Sequence, residues 1–260
     1  MLKILKYSFF DLIRSRWSYV YLFFYLLLSS VLLFLNNDLS KAVITLMNVI
    51  TILVPLIGTI FGIMYYYNSK EFTELLLAQP IRRSSIFIGQ YLGVALSLSM
   101  SLIIGLGIPF ALYGLFQSSE IWDFLLLIIT GTFLTLIFTA LAFNIALYNE
   151  NKIKGFSYAI LLWLFMAVIY DGLFLLSLIL LDSYPLDGLS IGATMFNPID
   201  LSRILILLKL DISALLGYTG AVFQKFFGTG LGLFVSLSVL SLWVTIPVLN
   251  IYRKSKKKDF

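Results

Sequence analysis

The chain contains no cysteine and no histidine. Without cysteine there can be no disulfide, no thiolate nucleophile and no thiolate metal site. Without histidine the commonest general base and the commonest metal ligand are both missing, and the H-E-x-x-H signature of a metalloprotease cannot be written. Charge is scarce as well: 12% of the 260 residues are Asp, Glu, Lys or Arg, against about 25% in soluble domains. No G-x-x-x-x-G-K-[ST] pattern occurs, so the chain has no P-loop with which to bind ATP. The six methionines are scattered and make no soft-metal relay. These absences argue against an enzyme and against a resident metal or cofactor.

What the chain does have is apolar length. It is 60% hydrophobic, with a mean hydropathy of +1.00. A membrane helix needs about 20 mainly apolar residues, and six segments qualify, at 17–35, 42–64, 87–116, 121–148, 156–181 and 230–251. The sequence therefore predicts an all-α integral membrane protein, with residues 1–260 forming one transmembrane domain. No internal repeat, low-complexity tract or linker divides it. Ahead of the first span, Leu2, Leu5, Phe9, Leu12 and Ile13 share one helical face, with Lys3, Asp11 and Arg14 opposite. That pattern predicts an amphipathic helix lying in the membrane plane.

Lysine and arginine sort strongly by side. The N-terminus, the 70–83 loop, the 149–155 loop and the tail hold fourteen of them, leaving Lys41, Arg203, Lys209 and Lys225 for the other side. The positive-inside rule then puts both termini in the cytoplasm, as an even number of spans requires. The basic tail from Arg253 to Lys258 follows a span directly, so it reads as an anchor to anionic membrane lipid rather than a nucleic-acid patch.

One cytoplasmic stretch, "KEFTELLLAQPIRRSSIFIGQYLG" at 70–93, carries both signs of charge. As a helix it would turn Phe72, Leu75, Leu76 and Gln79 one way and Lys70, Glu71 and Glu74 outward. Pro80 breaks it, because proline lacks the amide donor and clashes with the preceding turn. Ser84 or Ser85 could cap the next span after Arg82 and Arg83. Two readings stand: a re-entry turn with positive-inside anchors, or a docking surface for a cytosolic partner.

Other polar residues are few. Asp171 lies inside the fifth span, where a charge costs about 2.5–3.5 kcal/mol. It reads either as a path or gating residue or as one half of an interhelical hydrogen bond, with Asn144 of the fourth span as partner. The segment 197–228 has an apolar stripe (Leu201, Ile204, Leu205, Leu208, Ile212) interrupted by Asp200, Arg203, Lys209 and Asp211. It reads as helices lying on the outer membrane surface, with Asn197 and Pro198 as N-cap and first residue. Gly58 and Gly62 in the second span permit close backbone approach, and a dimer seam is one use for them. Pro55 and Pro109 mark bends.

The run E-x-x-E-L-L-L-A-Q-P-I-R-R, followed by I-G-Q-Y-L-G, resembles the loop after the second span of ABC-2-type transporter permeases. The order of elements (amphipathic elbow, six spans, basic tail) is similar too. The resemblance implies that 70–83 is a coupling helix seated in an ATPase subunit, with Glu71, Glu74, Leu76, Gln79, Pro80, Arg82 and Arg83 as the contact residues. It also implies a homodimer in the bacterial inner membrane, served by two cytoplasmic ATPase copies that bind the ATP and Mg. A Gly-Thr pair that many relatives carry before the leucines is replaced here by Glu71, Phe72 and Thr73. "IYDGLFLL" and "NPIDLSRIL" further resemble the permeases that serve copper-site assembly in nitrous oxide reductase. There the resemblance implies delivery of a sulfur species and a periplasmic β-helical partner, with Asn197, Pro198, Asp200 and Arg203 on an external platform. Export of a lipid, polysaccharide or hydrophobic toxin, and mechanical action on an external partner without transport, are the alternatives.

Overall fold

In a computed structural model, residues 1–36, 38–180, 187–209 and 219–257 are described, and among them every regular element is helical. Six helical runs are long and apolar enough to cross a membrane. After α1 (Leu2–Arg14) these are α2 (Arg16–Asn36), α3 (Leu39–Asn68), α5 (Arg83–Leu112) and α6 (Ile121–Tyr148). The fifth begins as α7 (Lys152–Leu164), passes through a π-helical turn at Phe165–Ile169 and continues as α8 (Tyr170–Leu180). The sixth is α12 (Gly230–Lys257). These are the six segments that hydropathy marks, with ends that agree to within six residues. The short α4 (Lys70–Leu77) joins α3 to α5. Between α8 and α12 come α9 (Asp187–Phe196), α10 (Pro198–Lys209) and α11 (Thr219–Phe227).

The core is α3, α5 and α6, held together by backbone proximity at small residues. A Cβ added at Gly62 would sit 2.9 Å from the Ala142 Cβ, and one at Gly58 would sit 3.3 Å from the Thr139 hydroxyl. The Gly58–Gly62 pair thus seats α6 within the same chain, which corrects its reading as a dimer seam. On α5 the same device appears twice. Gly105 receives Tyr25 of α2, while Gly89 and Gly93 receive Ile4 and Ser8 of α1. Ile4 meets Gly89 and Ser8 meets Gly93, so α1 runs lengthwise along the first half of α5. Its buried face is Ile4, Ser8 and Leu12, and Leu2 is exposed rather than sharing that face. Around these contacts pack fully buried aromatics, Tyr25, Phe87, Tyr91, Phe110, Phe138 and Phe143.

Local caps set several helix starts. Asp38 accepts the Ser40 amide at 3.0 Å to open α3, and Asn151 accepts the Ile153 and Lys154 amides to open α7. α5 differs from expectation: it starts at Arg83, and neither Ser84 nor Ser85 caps it. Hydroxyls within the spans mostly turn back onto their own helix, as Thr51, Thr59, Thr130 and Thr135 do toward carbonyls four residues earlier. In lipid that internal satisfaction is obligatory.

α9 and α10 revise the sequence reading most. They form a sharply bent pair, turning by 118° at Asn197. α10 is not a surface helix: Ile199, Leu201, Ile204, Leu205, Ile206 and Leu208 are all buried, and the helix packs on α3 and α6. Asn197, at the bend, is fully buried and donates to the Met166 carbonyl at 2.8 Å. Met166 lies near the midpoint of the α7–α8 run, and Trp243, near the midpoint of α12, donates to the Met195 carbonyl beside the bend at 3.1 Å. The bend therefore sits at mid-membrane depth, and the pair is a re-entrant hairpin entering from the end opposite the termini. Ile212 and Asp211 of the predicted stripe fall outside the described residues.

The glycine contacts make a direct prediction. Gly93→Ala would place its Cβ 2.6 Å from Ser8 Cβ and 3.0 Å from the Leu5 carbonyl. Overpacking of this kind costs about 1–3 kcal/mol, so the thermal midpoint of the detergent-purified protein should fall. Gly107→Ala, on the same helix with nothing within 4 Å, should leave it unchanged or raise it slightly. Equal midpoints for the two variants would contradict the lengthwise packing of α1.

Candidate functional site

Two polar constellations stand out, one beside the termini and one deep in the bundle at the hairpin bend. The first is α4, beside the termini. Its inner side is fixed: Thr73 is buried and accepts from the Gln90 amide at 2.8 Å, and Phe72 stacks on Tyr7 of α1 with centroids 4.6 Å apart. The corner where α3 enters α4 is braced as well. Tyr67 donates to the Asn149 carbonyl at 2.7 Å, and Lys152 donates to the Asn68 side chain at 3.0 Å. The helix ends at Leu77, three residues before Pro80.

The outward side of α4 is Glu71, Glu74, Leu75 and Ala78, all exposed. These positions fall at i, i+3, i+4 and i+7, one stripe of a helix. Leu75 is 69% exposed at its centre, although the sequence pattern assigns it to the inner face with Phe72. Leu76, a predicted contact residue, is half-buried instead. Lys70 lies 3.9 Å from Glu74, both well exposed, and such a pair contributes about 0–1 kcal/mol. Gln79, Pro80, Arg82 and Arg83 are exposed in the turn. The two arginines line a different surface, together with Tyr252 and Lys256 of α12. The structure thus splits the predicted set into an acidic, leucine-centred face and a basic pocket.

The second constellation is at the re-entrant hairpin. Arg203 donates to Asp171 Oδ2 at 2.8 Å and lies 3.7 Å from Asp200 Oδ1. Asp200 is buried, and its other oxygen accepts from the Asn197 side chain at 2.8 Å. Asn197 also caps α10 through the Ile199 amide at 3.1 Å, as the Asn-Pro pair predicts. Asp171 therefore finds an ionic partner in Arg203, which corrects its pairing with Asn144. Asn144 instead donates to the carbonyls of Ala140 and of Pro247 in α12, each at 2.9 Å. The placement of Asn197, Pro198, Asp200 and Arg203 on an exposed outer platform is corrected too, since they lie within the bundle. The sequence misled because Asp200 and Arg203 interrupt an apolar run, and their partner is about thirty residues upstream. The missing signal was stoichiometric: a span with one acid needs a base at the same depth.

A third feature is an apolar groove of about 940 Å³ between α6, α9 and α12. Phe196, Leu242, Ile246 and Leu249 line it, with Asn144 and Arg253 among its few polar groups.

The partly buried cluster sets an expected cost. Arg203→Met leaves two carboxylates at membrane depth without their cation, and breaking a buried pair costs up to about 3–5 kcal/mol. Asp171→Asn combined with Arg203→Met should recover part of that loss, because one stranded charge goes with its partner. Chemical or thermal unfolding in detergent of the two single variants and the double variant reads the coupling. Additive losses would place Asp171 and Arg203 apart.

No family model matches the chain. Two curated proteins are similar to it. One, from Stutzerimonas stutzeri and described as probable ABC transporter permease protein NosY, is 27% identical over 219 residues, 82% of this chain and 72% of that protein. Another of the same description, from Pseudomonas aeruginosa, is 28% identical over 186 residues, 68% of this chain and 67% of that one. Across most of its length the chain is similar to ABC transporter permeases, and to NosY proteins among them.

Proposed function

We propose that this chain is the membrane-spanning permease subunit of an ABC transporter, and that α4 is where a separate ATPase subunit drives it. The observation that carries the reading is the exposed stripe Glu71–Glu74–Leu75–Ala78 on a helix whose other side is locked to α1 and α5. An exposed apolar side chain beside two acids, on a helix whose other side is anchored, is built to be covered by something outside the chain. The similarity to proteins described as ABC transporter permeases supports an ATPase as that cover. The absence of a P-loop pattern in the sequence agrees with a non-catalytic subunit. Two permeases and two ATPases form the unit, in a bacterial inner membrane with both termini cytoplasmic; the lysine and arginine bias supports that orientation.

Motion imposed on α4 would pass directly into α3 and α5, which are continuous helices of 30 residues each. Both embrace α6, so the push reaches the bundle as a rigid displacement. Midway through the bundle, the re-entrant hairpin and the π-helical turn are the elements that can respond, because π turns recur at functional sites. The proposed cargo step is delivery of a sulfur species toward copper–sulfur cluster assembly of nitrous oxide reductase. The resemblance of the Asn197–Arg203 and Asp171 segments to that subfamily supports it.

Topology is tested first, using the cysteine-free background. A cysteine at exposed Lys152 should react with an impermeant maleimide only from the cytoplasm, and one at exposed Ser119 only from outside. Labelling of position 152 from outside would reverse the assignment. Docking is tested by Glu71→Ala combined with Glu74→Ala in the chain co-expressed with its ATPase. Removing one partner of a desolvated charged pair costs about 2–5 kcal/mol, or about 30-fold to several-thousand-fold in affinity. The variant should insert normally but lose the ATPase during detergent purification. Pro80→Ala should retain the ATPase while uncoupling hydrolysis from activity. Full co-purification and activity of the double-alanine variant would remove the docking reading.

A further inference from the structure

A pocket of about 310 Å³ opens where α1, α2, α3 and α4 meet, at the end of the bundle that holds the N-terminus. Five aromatic side chains line it: Tyr7 of α1, Trp17 of α2, Phe61 and Tyr65 of α3, and Phe72 of α4. Asp11 is the one charged group among its described lining residues. We propose that this pocket binds the ammonium group of a phosphatidylethanolamine headgroup from the leaflet on that side.

The lining selects a cation. Aromatic faces carry negative charge, and several of them around one cavity attract an ammonium ion. The Asp11 carboxylate adds a full charge of the same sign, so an anion would be repelled there. Tyr7 and Asp11 are four residues apart on α1 and share one side of it. The rings are held in place: Phe72 stacks on Tyr7 with centroids 4.6 Å apart, and Tyr65 is buried. The Tyr65 hydroxyl lies near Asp11 and has no hydrogen-bond partner, which leaves an acceptor unused beside the carboxylate.

An ammonium group can arrive on a lipid, on a small soluble amine or on a basic side chain of another protein. Placement selects the lipid. The lining follows the last turns of the α3 span, from Phe61 and Met64 to Asn68 at its end, with Trp17 in the first turn of the α2 span. The pocket is thus polar where the span ends and apolar further in, as a headgroup and the start of its chains require. Its volume is near the lower end of the range of about 300–1,000 Å³ typical of ligand sites, which suits a headgroup whose acyl chains stay in the bilayer. An occupied pocket would brace α1 against α4 beside the Tyr7–Phe72 stack. The site does not depend on what docks on the outer face of α4.

The test uses the full chain purified in detergent without an ATPase, titrated with phosphatidylethanolamine or phosphatidylglycerol. Native mass spectrometry and the thermal midpoint read the result. One phosphatidylethanolamine should be retained per chain, in preference to phosphatidylglycerol. Trp17→Leu should weaken retention by about twofold to thirtyfold, the range of one cation–aromatic contact. Asp11→Asn should weaken it by up to about fivefold and narrow the preference over phosphatidylglycerol. Both side chains are exposed, so the lipid-free midpoint should not move. Trp122→Leu is the control: Trp122 is as exposed as Trp17 but opens α6 at the opposite end of the bundle, so binding should change less than twofold. Equal loss in Trp17→Leu and Trp122→Leu would reduce the effect to the general affinity of interfacial tryptophan for headgroups and overturn the proposal. Equal or tighter retention of phosphatidylglycerol would overturn it as well. Equal protection by free ethanolamine at matched concentration would replace the lipid by a soluble amine. No retention of phosphatidylethanolamine by the unsubstituted chain would overturn the lipid and leave the pocket to a basic side chain of another protein.

Discussion

A polar group placed at membrane depth must find its partner inside the protein, because hydrocarbon offers none. Most of this architecture follows from that constraint. Hydroxyls of α3 and α6 return to carbonyls of their own helices. Asn144 ties α6 to α12, and Asn197 ties the hairpin bend to the π-helical turn. Asp171, Arg203 and Asp200 close a charge cluster that neither helix could carry alone. Most polarity within the spans is met this way, although Ser97 and Ser99 Oγ of α5, Asn144 Oδ1 of α6 and Ser202 Oγ of α10 are buried without a hydrogen-bond partner. On the outward face of α4, by contrast, Glu71, Glu74 and Leu75 stay exposed.

Close approach is the second theme, and it gives the bundle its stiffness. With little hydrophobic drive between helices in lipid, packing at small residues holds them together. Gly58, Gly62, Gly89, Gly93 and Gly105 do this within the chain. The result is a tight unit of α1, α2, α3, α5 and α6, from which α8 stands apart: none of its described residues is buried, and Leu173, Leu175, Leu176 and Ile179 are exposed. The contrast suits a machine in which one block transmits force and a looser limb responds.

The six spans were legible because hydropathy needs no tertiary information. So was the Asn197–Pro198 helix start, a local cap whose partners are a few residues away. The re-entrant hairpin was not legible, since Asp200 and Arg203 look like interruptions until Asp171 is brought beside them. Asp171 did announce the need for a partner; Asn144 was the nearer guess, and charge balance would have pointed to Arg203. The Gly89–Gly93 spacing was in plain view as a small-residue pair, yet only the structure shows α1 lying on it. Leu75 defeated the pattern for another reason. On an eight-residue helix the apolar stripe is too short to fix which leucine faces in, and anchoring by Thr73 and Phe72 decides it.

The central claim is that the outward face of α4 is covered by an ATPase subunit in the working protein. A photo-crosslinking residue at Leu75 tests it most directly, in the chain co-expressed with its ATPase in intact membranes. The account predicts a crosslink from position 75 to the ATPase, with none from the still more exposed Leu112 at the opposite end of α5. Crosslinking from position 75 only to lipid or to a second copy of this chain would contradict it.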